Sequence, residues 1–370
     1  MLESLNKRIA ILGDPIDNQR AGIHVYTREL MKALAAQNRN GHPLYLIREK
    51  PGGEFPGVQE KAFGNIHHPI GYASFRLFFL IPAHLKKINP DVVIEPAHFG
   101  PFNTPRGAKR VTVIHDLTPL KFPQWHRWHS QMLQRLFLPG ILNRADLIIV
   151  NSKHTQNDLL SLFPQLKKKV KMVYPGINPG IGVSNIDHDW NPEYLSKPFF
   201  LYAGTIEPRK RVDRLLKAYE LWRRAGKGEQ KLVLVGERGW KTTSFDQVLE
   251  SHPFREDIVL TGYIDDNRLS ALYSSCDLFV YPSAYEGFGF PVLEALICGA
   301  KVLTARNSSL TEVGGGAVTY FDEQEDIASA IFEKFEEAKR KEITPIEKMR
   351  IESFTWEKSA EAYLHLIDAL

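Results

Sequence analysis

Residues 283–300 read SAYEGFGFPVLEALICGA, and two carboxylates, two glycines and a proline stand there in an order with chemical content. The apolar run at 277–281 has strand length, and after Pro291 the side chains of Val292, Leu293, Leu296 and Ile297 fall on one side of a helix. The pattern is strand, loop, helix. In the loop, Gly287 and Gly289 permit close backbone approach to a ligand and positive φ, and they deliver N–H groups to the helix start beside Phe288 and Phe290. A helix N-terminus carries roughly half a positive charge and unpaired donors, so it favours an anion, typically a phosphate. Glu286 precedes that anion site, and Glu294 stands in the first turn after Pro291. Glu294 can equally complement the helix dipole, and Glu286 can be a solvated loop carboxylate. Without a third glycine the Gly-x-Gly fragment is no dinucleotide fingerprint.

A second candidate is the loop GTIEPRK, which follows the apolar strand pattern at 199–203 and leads into a helix over 212–225. It puts Arg209 and Lys210 at the helix start, where two cations work against the helix dipole. That local inconsistency is explained if they face a polyphosphate, which Arg grips in a bidentate way and Lys meets as a point charge. The alternative is two solvated basic residues. His115 and Asp116 directly follow the strand pattern at 111–114. A histidine there can offer a ring N–H to a sugar oxygen, with Asp116 orienting the ring or shaping the loop. Gly22 closes the loop DPIDNQRAG, where backbone donors point at an anion or simply cap a helix.

Glu286 and Glu294, with seven residues between them in EGFGFPVLEA, resemble the E-x7-E signature of the retaining glycosyltransferases of family 4, which have the GT-B fold. The resemblance extends to Gly22, the His115-Asp116 pair and Arg209-Lys210 in chain order, and is similar in GTIEPRK to polysaccharide and O-antigen mannosyl- or glucosyltransferases. It implies a metal-independent transfer of a hexose from a nucleotide sugar. By the same resemblance Glu286 contacts hydroxyls of the donor sugar, Glu294 binds the ribose, and Arg209 and Lys210 neutralise the diphosphate. Gly22 lets its loop approach the donor phosphates or the acceptor, and Tyr263 stands where the base is contacted. Some relatives carry a further arginine after the glycine of the basic loop, where this chain has Thr205, so more rests on Arg209.

Length and composition agree with this class. A chain of 370 residues exceeds one ordinary core, and 43% hydrophobic with 24% charged residues is a globular composition. The net charge of +4 is small for the length and does not call for a nucleic-acid partner. Cys276 and Cys298 each lie in apolar sequence and read as packed thiols rather than a disulfide or metal pair. The start, MLESLNKRIAILG, does not read as a signal peptide, and the apolar cluster at 77–85 is too short to cross a bilayer. A cytoplasmic location is expected, with peripheral contact at the inner face of the membrane. For that contact the stretch PLKFPQWHRWHSQMLQRLFLPGILNR at 119–144 mixes aromatics with basic residues, and it can rest on anionic lipid, line an acceptor groove or form a core helix. The cluster at 75–81 is a second candidate.

Strand patterns at 9–13, 44–47, 91–95, 110–114, 146–150 and 170–174 alternate with helical stretches, the first of them with Ile23, Tyr26, Leu30 and Leu34 on one face. Such alternation predicts a doubly wound parallel sheet, with ligands at the carboxyl ends of its strands. Residues 176–197 lose periodicity and read as a linker. The rhythm then restarts at 199–203, 232–236, 258–262, 277–281 and 301–304. The expected architecture is α/β, two Rossmann-like domains in GT-B arrangement facing a central cleft. An acceptor-side domain covers 1–180, a nucleotide-sugar domain 181–353, and a terminal helix at 354–370 crosses back onto the first. Asp187 and Asp189 form an Asp-x-Asp in the linker but follow no apolar strand, so they read as solvated loop, and no metal is expected. Asp265-Asp266 reads as a helix start.

The function expected is hexose transfer from a GDP- or UDP-linked sugar to a saccharide or lipid-linked acceptor in surface polysaccharide assembly. Two alternatives stay open: an epimerase of the same fold, which needs no acceptor, and a non-catalytic nucleotide-sugar-binding protein. A nicotinamide oxidoreductase is disfavoured because no G-x-G-x-x-G follows 9–12.

Overall fold

The computed structural model describes residues 6–18, 22–50, 52–64, 72–97, 100–126, 128–187, 189, 190, 192 and 197–370. The chain divides into two compact units, Met1–Gly176 with Phe354–Leu370, and Ile177–Ser353.

In the first unit seven strands, β1 (Ile9–Leu12), β2 (Leu44–Arg48), β3 (Val58–Ala62), β4 (Val92–Glu95), β5 (Lys109–Ile114), β6 (Leu147–Val150) and β7 (Val170–Met172), form one sheet in the order β3-β2-β1-β4-β5-β6-β7. Every pairing is parallel. Parallel strands need helical crossovers that cover both faces, which is why β1, β4 and β6 are buried along their whole length and, apart from Glu95 at the end of β4, apolar. The strand β3, VQEKA, went unforeseen because an edge strand need not be apolar. The helix Ile23–Gln37 buries Tyr26, Leu30, Met31 and Leu34. The last helix, Trp356–Asp368, begins at a Thr355 cap and belongs to this unit. Its Tyr363 hydroxyl lies 2.6 Å from that of Tyr26, and Trp356 meets the Tyr26 ring edge-on at 5.3 Å. A side chain at Gly176 would strike the Trp356 backbone at 2.3 Å, so the chain crosses there only as glycine.

The second unit repeats the plan with β8 (Phe199–Ala203), β9 (Lys231–Val235), β10 (Ile258–Gly262), β11 (Leu278–Tyr281), β12 (Val302–Ala305) and β13 (Thr319–Phe321) in the order β10-β9-β8-β11-β12-β13. Its pairings are all parallel too. In each sheet the strand order reverses once, between β1 and β4 and between β8 and β11. Loops leaving those neighbouring strands part in opposite directions and open a crevice at their carboxyl ends, which is where such sheets take ligands.

The helix Asp266–Ser275 starts at Asp265, whose carboxylate accepts from the Arg268 amide at 3.0 Å, so the acidic pair is a cap as expected. The stretch 119–144 is a short turn of helix at Thr118–Lys121 followed by the helix Trp128–Arg144, and the cluster at 75–81 contains a π-helical turn, Arg76–Leu80. Among the described residues no helix is long and apolar enough to cross a membrane, and Cys276 and Cys298 are free thiols. His188, between the linker aspartates, lies outside the described residues.

Candidate functional site

The loops after β8 and β11 meet at the reversal point of the second sheet. The β8 loop is pinned to its neighbour after β9: Ile206 N donates to Glu237 O and Gly239 N to Ile206 O, both at 2.9 Å, and a Cβ on Gly236 would lie 2.2 Å from the Gly204 carbonyl. Arg209 and Lys210 stand in a 3-10 turn, Pro208–Lys210, and only after Arg211, in the left-handed region at φ 53°, does the helix Val212–Arg224 begin. The helix begins at Val212 as expected, with the two cations in the turn just before it. The chain must reverse there before a helix can start, and the turn aims the two side chains at the β11 loop.

What they meet is Glu286. Lys210 Nζ donates to Glu286 Oε1 at 2.6 Å and to the Tyr281 hydroxyl at 2.5 Å, and Tyr281 donates to the same Oε1 at 3.0 Å. Arg209 Nη1 donates to Glu286 Oε2 and to the Tyr285 carbonyl, both at 3.0 Å, while its Nε and Nη2 reach Glu207 Oε1 at 3.1 and 2.8 Å. Glu286 is 6% exposed, Lys210 8% and Glu207 5%, which excludes both the solvated carboxylate and the solvated basic pair. Two cations and two carboxylates balance in formal charge, as a buried cluster requires. Burial pushes the Glu286 carboxyl up, but Arg209 and Lys210 outweigh it and hold it below the usual carboxylate range. Burial, then the neighbouring Arg209, lowers the Lys210 ammonium, against the pull of Glu286 and Glu207. The Glu286 backbone is fixed as well: its N–H donates to Ser308 Oγ at 3.0 Å, and its carbonyl accepts from Ser309 Oγ at 2.9 Å.

Beyond Glu286 the helix Phe290–Ile297 is capped by Gly289 at φ 100°, where an added Cβ would lie 2.9 Å from Leu310 Cδ2. Gly287 and Phe288 are buried in the same loop, and the Phe288 and Phe290 rings lie 4.9 Å apart. Glu294 falls beyond the first turn of this helix, which holds no acidic residue, so dipole compensation does not account for it. Its Oε2 accepts from the Tyr273 hydroxyl at 3.3 Å, and burial, with the nearby Asp266 charge, pushes its carboxyl up to about 7. Tyr263 follows β10, two strand spacings or roughly 10 Å from β8. It is 67% exposed and stands apart from the buried cluster.

In the first unit His115 directly follows β5 and is 8% exposed. Its Nε2 lies 2.6 Å from the Pro96 carbonyl, so that nitrogen carries the proton and donates inward rather than to a ligand. The ring N–H expected to face a sugar is therefore spent on the backbone in this structure. The Tyr26 ring packs edge-on at 4.7 Å and holds the imidazole in place. Asp116 shapes the loop: its Oδ1 accepts from the Thr118 amide at 2.9 Å and the Thr118 hydroxyl at 2.6 Å. Gly22 precedes the helix Ile23–Gln37, and no described atom lies within 4 Å of where its Cβ would be. Residues 19–21 of its loop lie outside the described residues. Among the described residues no group of three or more His, Cys, Asp or Glu side chains could hold a metal ion.

Residues 20–180 match the model of Glycosyltransferase Family 4, and residues 184–349 match that of the glycosyl transferases group 1. The chain is a family 4 glycosyltransferase of GT-B fold. This glycosyltransferase is 29% identical over 373 residues to the O-antigen chain mannosyltransferase B of Escherichia coli, across 95% of its own length and 96% of the relative's. It is 30% identical over 223 residues to the serotype-specific mannosyltransferase WbdA of Escherichia coli, matching 56% of itself but 26% of that longer protein. Among solved structures it resembles the sucrose-phosphate synthase of Thermosynechococcus elongatus, with a TM-score of 0.74 at 19% identity over 98% of this chain and 100% of that one. Anabaena HepE, solved in complex with UDP and glucose, gives a TM-score of 0.66 at 17% identity over 98% of this chain and 100% of that one.

The glycosyltransferase carries site residues that sequence reasoning passed over. Glu207 and Tyr281 complete the charge cluster, and Ser308 and Ser309 hold the Glu286 backbone. Glu207 was within reach, since it sits in the same short loop as the two cations it balances. Ser308 and Ser309 carry no local signal, because only the pairing of β11 with β12 brings their loop alongside.

Proposed function

We propose that this glycosyltransferase moves a hexose from a nucleoside-diphosphate sugar, GDP-mannose or a UDP-hexose, to a saccharide or lipid-linked acceptor in surface polysaccharide biosynthesis, with retention at the anomeric carbon and no metal ion. The observation that carries it is the meeting of Arg209, Lys210 and Glu286 at the carboxyl ends of β8 and β11. A departing diphosphate gathers negative charge, and two cations aimed at one point stabilise it more in the transition state than before it. Arg209 stays within reach of a ligand, its side chain keeping 17% of its surface exposed, with Lys210 buried beside it. Glu286, released as the phosphates take the cations, turns to hydroxyls of the donor sugar. Glu294 and Tyr263 take the ribose and the base. His115, Asp116 and Gly22, all in the first unit, keep in this reading the roles that the family resemblance implies. The acceptor hydroxyl attacks on the face the diphosphate leaves, and a phosphate oxygen takes its proton.

The mannosyltransferase name of a relative matched over 95% of the chain favours mannose, and the UDP in a neighbour of like fold keeps uridine donors in view. Peripheral contact with anionic lipid belongs to the same reading, supported by Phe79 at 63% and Leu136 at 67% exposure in the first unit. The test is calorimetric titration of GDP and UDP with EDTA present, followed by NMR of the glycoside formed from each nucleotide sugar. Metal-free binding of one nucleotide, weakened by about 1.5 to 3 kcal/mol in Arg209→Ala, and an α-linked product from an α-linked donor are expected. An inverted anomer, or binding that needs a divalent cation, refutes the corresponding part. Conversion of the donor sugar without acceptor would make the chain an epimerase.

A further inference from the structure

The diphosphate reading leaves one carboxylate of the second unit without a task, and it stands where a like charge works against a phosphate. Glu237 comes two residues after β9, the strand beside β8, at the carboxyl end of the sheet. Its backbone is tied to the loop that carries Arg209 and Lys210, because its carbonyl accepts from the Ile206 amide at 2.9 Å. The side chain is exposed, and among the described residues it has no ion-pair partner. Arg238, the next residue, turns instead to Asp246, 3.2 Å away. The carboxylate is nevertheless held in place: its Oε1 accepts from the Tyr263 amide at 3.3 Å. The two loops are also joined through their backbones, with Gly236 N donating to Gly262 O at 2.9 Å. Glu237 therefore stands beside Tyr263, which is 67% exposed.

We propose that Glu237 determines the specificity for the nucleotide base, and that the base it selects is guanine. The proposal rests on the glycosyltransferase reading and restricts its donor to a guanosine diphosphate sugar. The argument is complementarity of donors and acceptors. Guanine presents N1–H and its 2-amino group side by side, two donors spaced to meet the two oxygens of one carboxylate, and bonds to a charged acceptor are the strong ones. Uracil presents a single N–H between two carbonyl oxygens. A carboxylate that meets this edge gains one bond and faces two like partial charges, so it discriminates by repelling uracil as well as by binding guanine. Adenine sets one amino group beside an acceptor nitrogen and meets the same conflict. Guanine also accounts for the otherwise unfavourable charge, since its donors answer the carboxylate that Arg238 leaves alone. The face of the base has the exposed Tyr263 ring to stack on, and the Tyr263 amide fixes the carboxylate next to it, so face and edge are read together.

The experiment is calorimetric titration of the full chain with GDP, IDP, UDP and ADP, for the wild type, Glu237→Gln and Glu237→Ala. Inosine lacks only the 2-amino group of guanosine, so the ratio of GDP to IDP affinity isolates one of the two bonds and needs no variant at all. The wild type is expected to bind GDP at least about tenfold more tightly than UDP or ADP, and at least about fivefold more tightly than IDP. GDP should weaken at least about fivefold in Glu237→Gln and about tenfold in Glu237→Ala, while UDP stays within about threefold in both. In Glu237→Ala, GDP and IDP should bind within about a factor of two of each other. Preference of the wild type for UDP or ADP, equal affinity for GDP and IDP, or variants that weaken GDP no more than UDP overturns the proposal and leaves the transferase reading standing. Failure of the wild type to bind any of the four removes that reading, and the proposal with it.

Discussion

Glu286→Gln separates two things the same side chain does in opposite directions. In the free protein its carboxylate occupies the two cations proposed for the diphosphate, through Lys210 at 2.6 Å and Arg209 at 3.0 Å. A nucleotide must break at least one of those contacts. The amide keeps one oxygen, so the substitution removes about one charge-assisted hydrogen bond, worth roughly 1.5 to 3 kcal/mol, from the free protein. The second unit should lose that much stability, a fall in Tm of about 3 to 12 °C for a body of this size. Nucleoside diphosphate should bind more tightly, by about tenfold if about 1.4 kcal/mol of competition is relieved. Transfer should nevertheless collapse by at least about a hundredfold, because the group that orients the sugar has lost its charge. The stability loss also carries a pH signature. The Glu286 carboxyl titrates below its ordinary 4.5, so its contribution is complete above that pH and disappears as the pH falls through the depressed value. The melting difference between wild type and variant should shrink on acidification below about pH 4. Calorimetry of GDP and UDP with thermal melts decides the matter. Weaker nucleotide binding by Glu286→Gln would show that the carboxylate does not compete with the phosphates, and would refute the placement of the diphosphate on Arg209 and Lys210.

Glu294 titrates near neutrality, pushed up to about 7, and only its ionised form accepts from two ribose hydroxyls at full strength. Nucleoside affinity should therefore rise between pH 6 and 8 in the wild type and stay flat in Glu294→Gln; parallel pH profiles would exclude the ribose contact. The same raised carboxyl costs stability as the pH climbs from about 4.5 to about 7, since the unfolded chain ionises first, and Glu294→Gln should remove that slope from the melting curves. In the first unit Tyr363→Phe leaves the buried Tyr26 hydroxyl without its partner at 2.6 Å and should cost about 1 to 3 kcal/mol, whereas the double change with Tyr26→Phe should recover most of it. Additive losses in denaturant unfolding would mean that the two hydroxyls are not coupled.

Much of this glycosyltransferase was legible in its sequence, and the boundary of legibility follows sequence separation. Strands such as 199–203 and 277–281 declared themselves because a parallel strand covered on both faces must be apolar, and the structure places Phe199–Ala203 and Leu278–Tyr281 there. The edge strands VQEKA and TYF escaped, one for its polarity and one for its shortness. Glycine at 289 was readable because the turn into the next helix needs positive φ, and it adopts 100°. The partners of Arg209, Lys210 and Glu286 were harder, because 76 residues separate Lys210 from Glu286 and no local pattern records that they touch.

The basic pair shows the difference between reading a residue's chemistry and reading its state. Two cations against a helix dipole are an inconsistency that something must resolve, and a phosphate was the resolution inferred. The fold supplies another: carboxylates from Glu207 and Glu286 neutralise the pair while no anion is bound, because two buried, uncompensated cations would cost several kcal/mol each. In the proposed mechanism these answers are successive rather than rival. A site proposed to receive a diphosphate must exist without one, and the residue suited to wait there is an anion with a second task. Glu286 would pass from counter-ion to sugar ligand when the phosphates arrive, which would couple donor binding to its own release, so the charge that recognises the leaving group would also set when the sugar is gripped.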